Sequence, residues 1–335
     1  MIALDANGAD AGPAVVAQGA RQAGLPVTLY GPAAVLSELE LPPGSRLIDC
    51  PDGIANHEEP VRAVRSRPDA SIVRAARAVG DGEVEGLVSA GSTGAALAAS
   101  VLHIGRIKGV HRPAVAVLIP VPGRPTLLLD AGASVQARPE HLVQFAYMGS
   151  AFMEAVHGVS RPRVGLLSVG EEEGKGTEQV VEAGARLRDG PLNYAGNVEG
   201  GDLTGGDIDV IVTDGFTGNV AIKAIEGTAR TVLGAVRDTI RSGTVSSIGG
   251  LLIRGKAAGL RRELDQDAVG GALLLGLKGV VVIAHGGSSP RGIAGALDLA
   301  DRAVGERMVE RTAAALQAGG AMRSGAGASF ASAHD

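Results

Sequence analysis

Where an apolar, β-branched run breaks off, this chain repeatedly places glycine beside a carboxylate, hydroxyl, amide or imidazole. The most informative case is residues 209–223, Asp-Val-Ile-Val-Thr-Asp-Gly-Phe-Thr-Gly-Asn-Val-Ala-Ile-Lys. Its run stops at Thr213-Asp214-Gly215, turns through Gly218-Asn219 and resumes with helical spacing. A strand that feeds a helix through a glycine-bearing turn leaves unpaired backbone N–H groups at the helix start, and these receive an anion readily. Ser89-Ala90-Gly91-Ser92-Thr93-Gly94-Ala95 has the same form, with Ser92 and Thr93 hydroxyls that suit either phosphate oxygens or a helix cap. The recurring chemistry is recognition of a phosphate- or carboxylate-bearing ligand. For any one loop alone, a turn without ligand is the simpler account.

Three further loops extend the set. Asp130-Ala131-Gly132-Ala133-Ser134 puts Asp130 where it could take a proton, bind a hydroxyl or only shape the turn. Lys175 stands between Gly174 and Gly176, behind Glu171, Glu172 and Glu173. It reads either as a point-charge clamp on an anion or as a solvated loop cation. Three consecutive acids are poorly spaced for one metal shell, so no metal is expected. His285 opens the last such turn, His285-Gly286-Gly287-Ser288-Ser289, and its strand-end position weighs a catalytic role evenly against a structural one. The chain itself begins with a run into Asp5-Ala6-Asn7-Gly8. The turn at 89–95 lacks both the Gly-Lys-Ser/Thr ending of a Walker loop and the Gly-x-Gly-x-x-Gly of a dinucleotide site. A Gly-x-Ser-x-Gly elbow, His-Glu-x-x-His and a Cys/His ligand cluster are missing too.

These loops need strands and helices to hold them. Residues 2–5, 27–30, 87–89, 114–119, 126–130, 163–169, 210–213 and 279–284 read as strands, with amphipathic helices between several. One helix takes its start signal from Pro68-Asp69 and sets Ile72, Val73, Ala76 and Val79 in an apolar stripe. Strands apolar on both faces, separated by helices, predict an α/β protein whose mainly parallel sheet is covered on both sides. Ligands of such sheets usually sit outside the carboxyl ends of the strands. Between residues 237 and 263, six basic residues (Arg237, Arg241, Arg254, Lys256, Arg261, Arg262) face two acids (Asp238, Glu263). Ile253, Ala257, Leu260 and Leu264 fall at helical spacing there, although Gly249, Gly250, Gly255 and Gly259 weaken an isolated helix. A basic amphipathic helix suits an anionic membrane or an acidic protein, and equally a contact with its own core or a dimer partner. Residues 318–335, rich in Gly, Ala and Ser, read as a disordered tail behind a catalytic unit spanning 1–317.

A chain of 335 residues can bury a substantial core as one large or two closely joined domains. Its 51 glycines show no collagen-like period and fall mainly at turns. With 2% aromatics, no Trp and a net charge of −5, it lacks both stacking platforms and an electrostatic pull on a polyanion, which excludes nucleic acid as an expected partner. The single cysteine, Cys50, excludes an internal disulfide and a multi-thiolate metal site. No basic-then-apolar leader opens the chain, and the apolar tract 271–284 is too short to span a bilayer. A cytoplasmic location is expected.

Taken in order, the motifs resemble those of the PlsX family, the fatty acyl–carrier-protein:phosphate acyltransferases of bacterial phospholipid synthesis. The likeness runs from Met1 to about Leu316. It includes Glu59-Pro60-Val61-Arg62-Ala63-Val64-Arg65, the 89–95 loop, Gly105-Arg106-Ile107-Lys108-Gly109 with Arg112-Pro113, and Arg138-Pro139-Glu140-His141-Leu142. Met148-Gly149-Ser150, Gly196-Asn197-Val198-Glu199, Asp214-Gly215-Phe216-Thr217-Gly218-Asn219-Val220 and Gly270-Gly271-Ala272 continue it. The chain departs from the family pattern with Asn7 and Ala9 in the opening turn, and with Ser92 and Ser134 where Asn is usual, which alters hydrogen bonding at those points.

The resemblance implies a three-layer α/β/α fold related to phosphotransacetylases and isocitrate-dehydrogenase-like proteins, homodimerisation and peripheral membrane association. The implied reaction moves a long acyl group from acyl-acyl-carrier protein to inorganic phosphate, with no cofactor. On this reading Lys175, Asn197, Asp214, Asn219 and His285 form the catalytic set. Asp5, Gly8, Ser89, Gly91, Ser92, Thr93, Gly94, Asp130 and Gly215 surround the phosphate or substrate. Arg254, Lys256, Arg261 and Arg262 meet the carrier protein or the membrane. A phosphotransacetylase-like enzyme using acyl-coenzyme A and a noncatalytic scaffold are the competing readings.

Overall fold

A computed structural model describes residues 1–121, 124–263 and 270–322; the side chains of 257, 258 and 260–263 are outside that description. Leu264, the side chains of Arg261 and Arg262, and residues 323–335 of the expected tail therefore lie beyond it. Residues 318–322 belong to the folded body, because the Gln144 amide donates to the Ala321 carbonyl at 2.8 Å.

Among the described residues, eleven strands form one sheet: β1 (Ile2–Asp5), β2 (Val27–Gly31), β3 (Arg46–Asp49), β4 (Gly86–Ser89), β5 (Ala114–Ile119), β6 (Thr126–Leu129), β7 (Val164–Leu167), β8 (Tyr194–Val198), β9 (Val210–Val212), β10 (Ala272–Leu275) and β11 (Val280–Ile283). Their order is β3-β2-β1-β4-β11-β10-β5-β6-β9-β7-β8. The helices are α1 (Pro13–Ala23), α2 (Ala33–Leu36), α3 (Pro60–Ser66), α4 (Ser71–Gly80), α5 (Thr93–Ala99), α6 (Pro139–His157), α7 (Glu178–Arg188), α8 (Gly215–Arg241), α9 (Thr244–Glu263), α10 (Pro290–Gly305) and α11 (Met308–Ala318). Helix α5 continues through a π-turn to Ile104.

The sheet is mainly parallel, as expected, but its middle is not. β11-β10, β10-β5 and β5-β6 pair antiparallel. The tract 271–284 accordingly folds as a hairpin, in which β10 precedes the strand expected at 279–284. An odd number of reversals turns the β6-β9-β7-β8 wing over, so its carboxyl ends point to the edge opposite those of β3, β2, β1, β4 and β11.

Alternation along the strands fixes which face each side chain joins. On one face Leu4, Val88, Ala116, Leu129 and Val282 pack with α1, α6, α10 and α11 into a single core containing the fully buried Phe145 and Phe152. Burying each such aromatic contributes roughly 1.5–3 kcal/mol. On the other face the core is split. Ala3, Leu87, Val115 and Ile283 pack with α4 and α5, whereas Ile119, Leu128 and Ile211 pack with Ala221, Ile222 and Ile225 of α8. Helix α4 begins at Ser71, two residues after Asp69, and buries Ile72, Val73, Ala76 and Val79.

Helices α8 and α9 pack on each other and make few contacts with the rest of the chain. At 27 residues, α8 is about 40 Å long. Much of this pair is solvent-facing and apolar: Val232, Leu233 and Val236 on α8, and Val245, Ile248, Leu251, Leu252 and Ile253 on α9 are exposed. Arg254 and Lys256 are exposed beside them.

Candidate active site

The break between the two half-cores opens as a cleft of about 470 Å³, within the range of small-ligand sites. Its floor is β5, where Val115, Val117 and Ile119 at alternate positions span about 13 Å. One wall carries Thr93 of α5, Ile283 of β11, and His285 and Ser288 of the following turn. The other carries Ala131, and Asn219, Ile222, Lys223, Ile225 and Glu226 of α8. Apolar groups form the bottom and polar groups the rim, contributed from both wings of the sheet.

The first wall is built on Asp5, at the end of β1. Its carboxylate accepts from Ser71 Oγ at 2.6 Å, Ser89 Oγ at 2.7 Å and the Asn7 N–H at 3.2 Å. Complete burial pushes its pKa up to about 6, against the pull of those donors. The turns after β1 and β4 interlock so tightly that a Cβ on Gly8 would stand 2.7 Å from Gly91 Cα. Asn7 reaches the carbonyls of Cys50 at 2.9 Å and Asp52 at 3.1 Å, and Gly94 abuts Pro60. Ser92 Oγ accepts from the Ala95 N–H at 3.4 Å, so this hydroxyl caps α5. Asp5, Gly8, Ser89, Gly91, Ser92 and Gly94 thus frame the loop, and Thr93 lines the cleft.

The opening turn also meets the last one, where the Asp10 N–H donates to the Gly286 carbonyl at 2.8 Å. His285 Nδ1 accepts from the Gly287 N–H at 3.0 Å. A neutral ring held this way carries its proton on Nε2, which makes His285 a hydrogen-bond donor at that nitrogen.

The second wall depends on Asp130, which is fully buried. One carboxylate oxygen accepts from the N–H groups of Val115, Gly132 and Ala133 at 2.9–3.0 Å, and the other from Ser134 at 2.7 Å. Burial raises its pKa while the four donors lower it. Of the three roles open to Asp130 in the sequence, shaping the turn is the one these contacts describe. Helix α8 then seats on that turn through Gly215 and Gly218, three apart and on one face. A Cβ at Gly218 would lie 2.0 Å from the Asp130 carbonyl oxygen, and one at Gly215 would lie 2.6 Å from that of Ser134. Asp214 caps the helix, accepting from Thr217 N–H at 2.9 Å and Thr217 Oγ1 at 2.7 Å. The helix therefore starts at Gly215, and Gly218-Asn219 lies inside its first turns instead of forming the bend.

Lys175 and Asn197 are brought together elsewhere. Asn197 Nδ2 donates to the carbonyls of Glu172 at 3.0 Å and Lys175 at 3.2 Å. Asn197 borders a smaller hollow of about 210 Å³ behind β7 and β8, with Glu171, Glu173 and Arg188, and Lys175 is exposed at the same loop. Neither residue lines the cleft. Conversely, Glu226 lines it from outside every motif, and Ile222, Lys223 and Ser288 line it although none of them was singled out within the stretches at 209–223 and 285–289. Lys223 stands four residues after Asn219, one turn along the same face, and that spacing was the available signal.

One metal-like grouping occurs among the described residues: ligand atoms of His111, Glu140 and His141 lie within 4.8 Å of one another. His141 Nδ1, however, accepts from the Arg138 N–H at 3.0 Å, closing the start of α6. Burial, then Arg112, pushes His141 down to about 4. With Nδ1 accepting, Nε2 holds the proton in the neutral ring and offers no lone pair. The arrangement is a helix cap.

Architecture and cleft together define a mixed-sheet α/β protein of the phosphotransacetylase fold. The chain superposes on EutD phosphotransacetylase from Staphylococcus aureus with a TM-score of 0.57 at 16% identity, covering 91% of this chain and 94% of that one. The family model described as "Fatty acid synthesis protein" matches residues 1–311, and the chain belongs to that family. It is 43% identical over 330 residues to a phosphate acyltransferase of Anaeromyxobacter dehalogenans (strain 2CP-1 / ATCC BAA-258), covering 94% of this chain and 90% of the relative. It is also 43% identical over 318 residues to a phosphate acyltransferase of Heliobacterium modesticaldum (strain ATCC 51547 / Ice1), covering 92% and 95%. The chain is an acyltransferase.

Proposed function

We propose that this enzyme transfers a long-chain acyl group from the thioester of acyl-acyl-carrier protein to inorganic phosphate, releasing acyl phosphate for phospholipid synthesis. The observation that carries this reading is the cleft, in which an apolar floor runs directly into a polar rim. Val115, Val117, Ile119, Ile222 and Ile225 offer an acyl chain a dry surface, while Thr93, Asn219, Lys223, His285 and Ser288 offer donors to an anion.

Phosphate is already an oxyanion nucleophile near neutral pH. One of its oxygens attacks the thioester carbonyl carbon, the C–S bond breaks, and the carrier leaves as a thiolate that then takes a proton. The protein's task is to hold phosphate beside the carbonyl and to stabilise charge on its oxygen as the tetrahedral centre forms. The Nε2–H of His285 and the Asn219 amide supply the donors. Burial of the reacting atoms over β5 protects the product from water.

We also assign the exposed α8–α9 pair its covering surfaces. Val232, Leu233 and Val236 suit a second copy of the chain, and the apolar α9 residues with Arg254 and Lys256 suit an anionic membrane surface. No helix among the described residues is long and apolar enough to cross a membrane. Replacing Leu251 and Leu252 by Ser should abolish flotation with anionic liposomes and leave turnover of soluble donor intact; unchanged flotation would remove α9 from this role.

Incubation with acyl-carrier protein thioester and phosphate, followed by hydroxylamine trapping, tests the reaction. Phosphate-dependent acyl hydroxamate is expected. Preference for acyl-coenzyme A would favour the phosphotransacetylase-like alternative, and no hydroxamate with either donor would leave a scaffold.

A further inference from the structure

We infer that Lys223 is the cation that receives inorganic phosphate in the cleft, and that Glu226 holds it until phosphate arrives; this rests on the phosphate acyltransferase reading above. Among the described residues lining the cleft, Lys223 is the only lysine or arginine. It stands one helical turn beyond Asn219, on the face that looks across β5 toward His285 and Thr93. Its Nζ lies 3.0 Å from Glu226 Oε2, three residues further along α8. An ammonium has three donors, so two remain for a ligand while this pair is intact.

The pair is asymmetric. The Lys223 side chain is 60% exposed and Glu226 only 18%. Glu226 is mostly buried at the wall, whereas most of the lysine side chain faces solvent. Exposed lysine–carboxylate pairs at this spacing are weak, because solvent screens them and two flexible stems must be ordered. A phosphate dianion brings more charge and more acceptor oxygens than a carboxylate, so it competes successfully for the same ammonium. Like-charge repulsion then disfavours Glu226 beside bound phosphate. The exchange keeps the lysine charge compensated when phosphate is absent and unmasks a cation where the nucleophile must sit. Lys175, the cation the sequence offered for this task, borders no part of the cleft.

The test is the phosphate dependence of initial rate for the full chain at saturating acyl-carrier donor. It compares wild type with Lys223→Ala, Lys223→Arg, Glu226→Gln and Lys175→Ala. Loss of a charge-assisted contact predicts a phosphate KM raised at least about tenfold in Lys223→Ala, with the donor KM unchanged. Lys223→Arg should recover part of that loss. Release from its competitor predicts that Glu226→Gln lowers the phosphate KM by about 1.5- to 5-fold. An unchanged phosphate KM in Lys223→Ala, or a shift seen in Lys175→Ala instead, overturns the assignment while phosphate-dependent wild-type turnover leaves the broader reading standing. Should Lys223→Ala fail to fold, an unchanged or raised phosphate KM in Glu226→Gln overturns it equally. A wild-type enzyme that makes no acyl phosphate would instead overturn the reading beneath it.

Discussion

Replacing Gly218 by Ala tests how the two wings are coupled. Alanine is the better helix former by about 1 kcal/mol, so on an unconstrained helix this change stabilises. Here the new Cβ would stand 2.0 Å from the Asp130 carbonyl oxygen, about 1 Å inside the 3.0 Å that real Cβ contacts essentially never breach. The obstacle is backbone, and it cannot drift aside, because four N–H groups grip the Asp130 carboxylate that shapes it. The start of α8 must lift instead. Overpacking of this kind costs about 1–3 kcal/mol or more, which outweighs the gain in propensity. Gly227 lies on the same helix, where an added Cβ would meet nothing within 4 Å, so Gly227→Ala should stabilise by roughly 0.5–1 kcal/mol. Urea midpoints at matched m-values compare the two, and phosphate-dependent turnover reports whether Asn219 and Lys223 still face the cleft. A Gly218→Ala protein as stable and as active as Gly227→Ala would refute the tight seating of α8 on the Asp130 turn.

Three other outcomes follow from the same contacts. Asp130→Asn should destabilise by about 3 kcal/mol or more in equilibrium unfolding, since an amide NH₂ must face at least one buried N–H donor; a loss below about 1 kcal/mol would show the turn is held otherwise. Asp5 has a native pKa near 6, above its unfolded value, so the native state binds the proton more tightly and stability should fall as pH rises from about 4 to 6. The difference is at most about 3 kcal/mol, and Asp5→Asn should flatten that slope; an unaltered stability–pH profile would deny the burial penalty. His285→Phe, which removes the Nε2–H donor, should lower kcat by about 10²-fold with little change in folding stability, whereas a change confined to KM would place His285 in binding alone.

Much of the fold was legible because central strands announce themselves. β1, β2, β4, β5, β6, β7, β9 and β11 are apolar on both faces, the mark of strands covered on two sides. The three that escaped have physical reasons to do so. β3 and β8 are the edges of the sheet and half-exposed, so Arg46–Asp49 and Tyr194–Val198 lack that signature. β10 was hidden inside one apolar tract because a short turn folds 271–284 back on itself, and hydrophobicity alone does not record a reversal. That reversal matters most, for it turns one wing over and leaves β5 as the floor between half-cores.

The site was legible loop by loop but not as an assembly. The turns at 89–95, 130–134, 214–219 and 285–289 each carried glycine for close approach, and the structure brings all four around one cleft. Which of their residues reach it was not legible, since the side chains of Ser92, Asp130 and Asp214 are taken up by hydrogen bonds that shape their own turns, Asp130 accepting from Val115 of β5 as well. Lys175 had an attractive setting between two glycines. Its position is decided by strand order, with β9 standing between β7 and β6, and strand order is a property of long-range pairing that no local motif contains. Lys223 carried the opposite signal: an ordinary lysine on an ordinary helical stripe, one turn from Asn219.

Isotope labelling of the nucleophile tests the central claim most directly. Turnover of acyl-carrier thioester with fully ¹⁸O-labelled phosphate, followed by mass spectrometry of the intact product, should give acyl phosphate retaining all four labelled oxygens, one of them bridging to the acyl carbon. Free fatty acid carrying oxygen from water, with the phosphate label left in solution, would contradict attack by phosphate in the cleft.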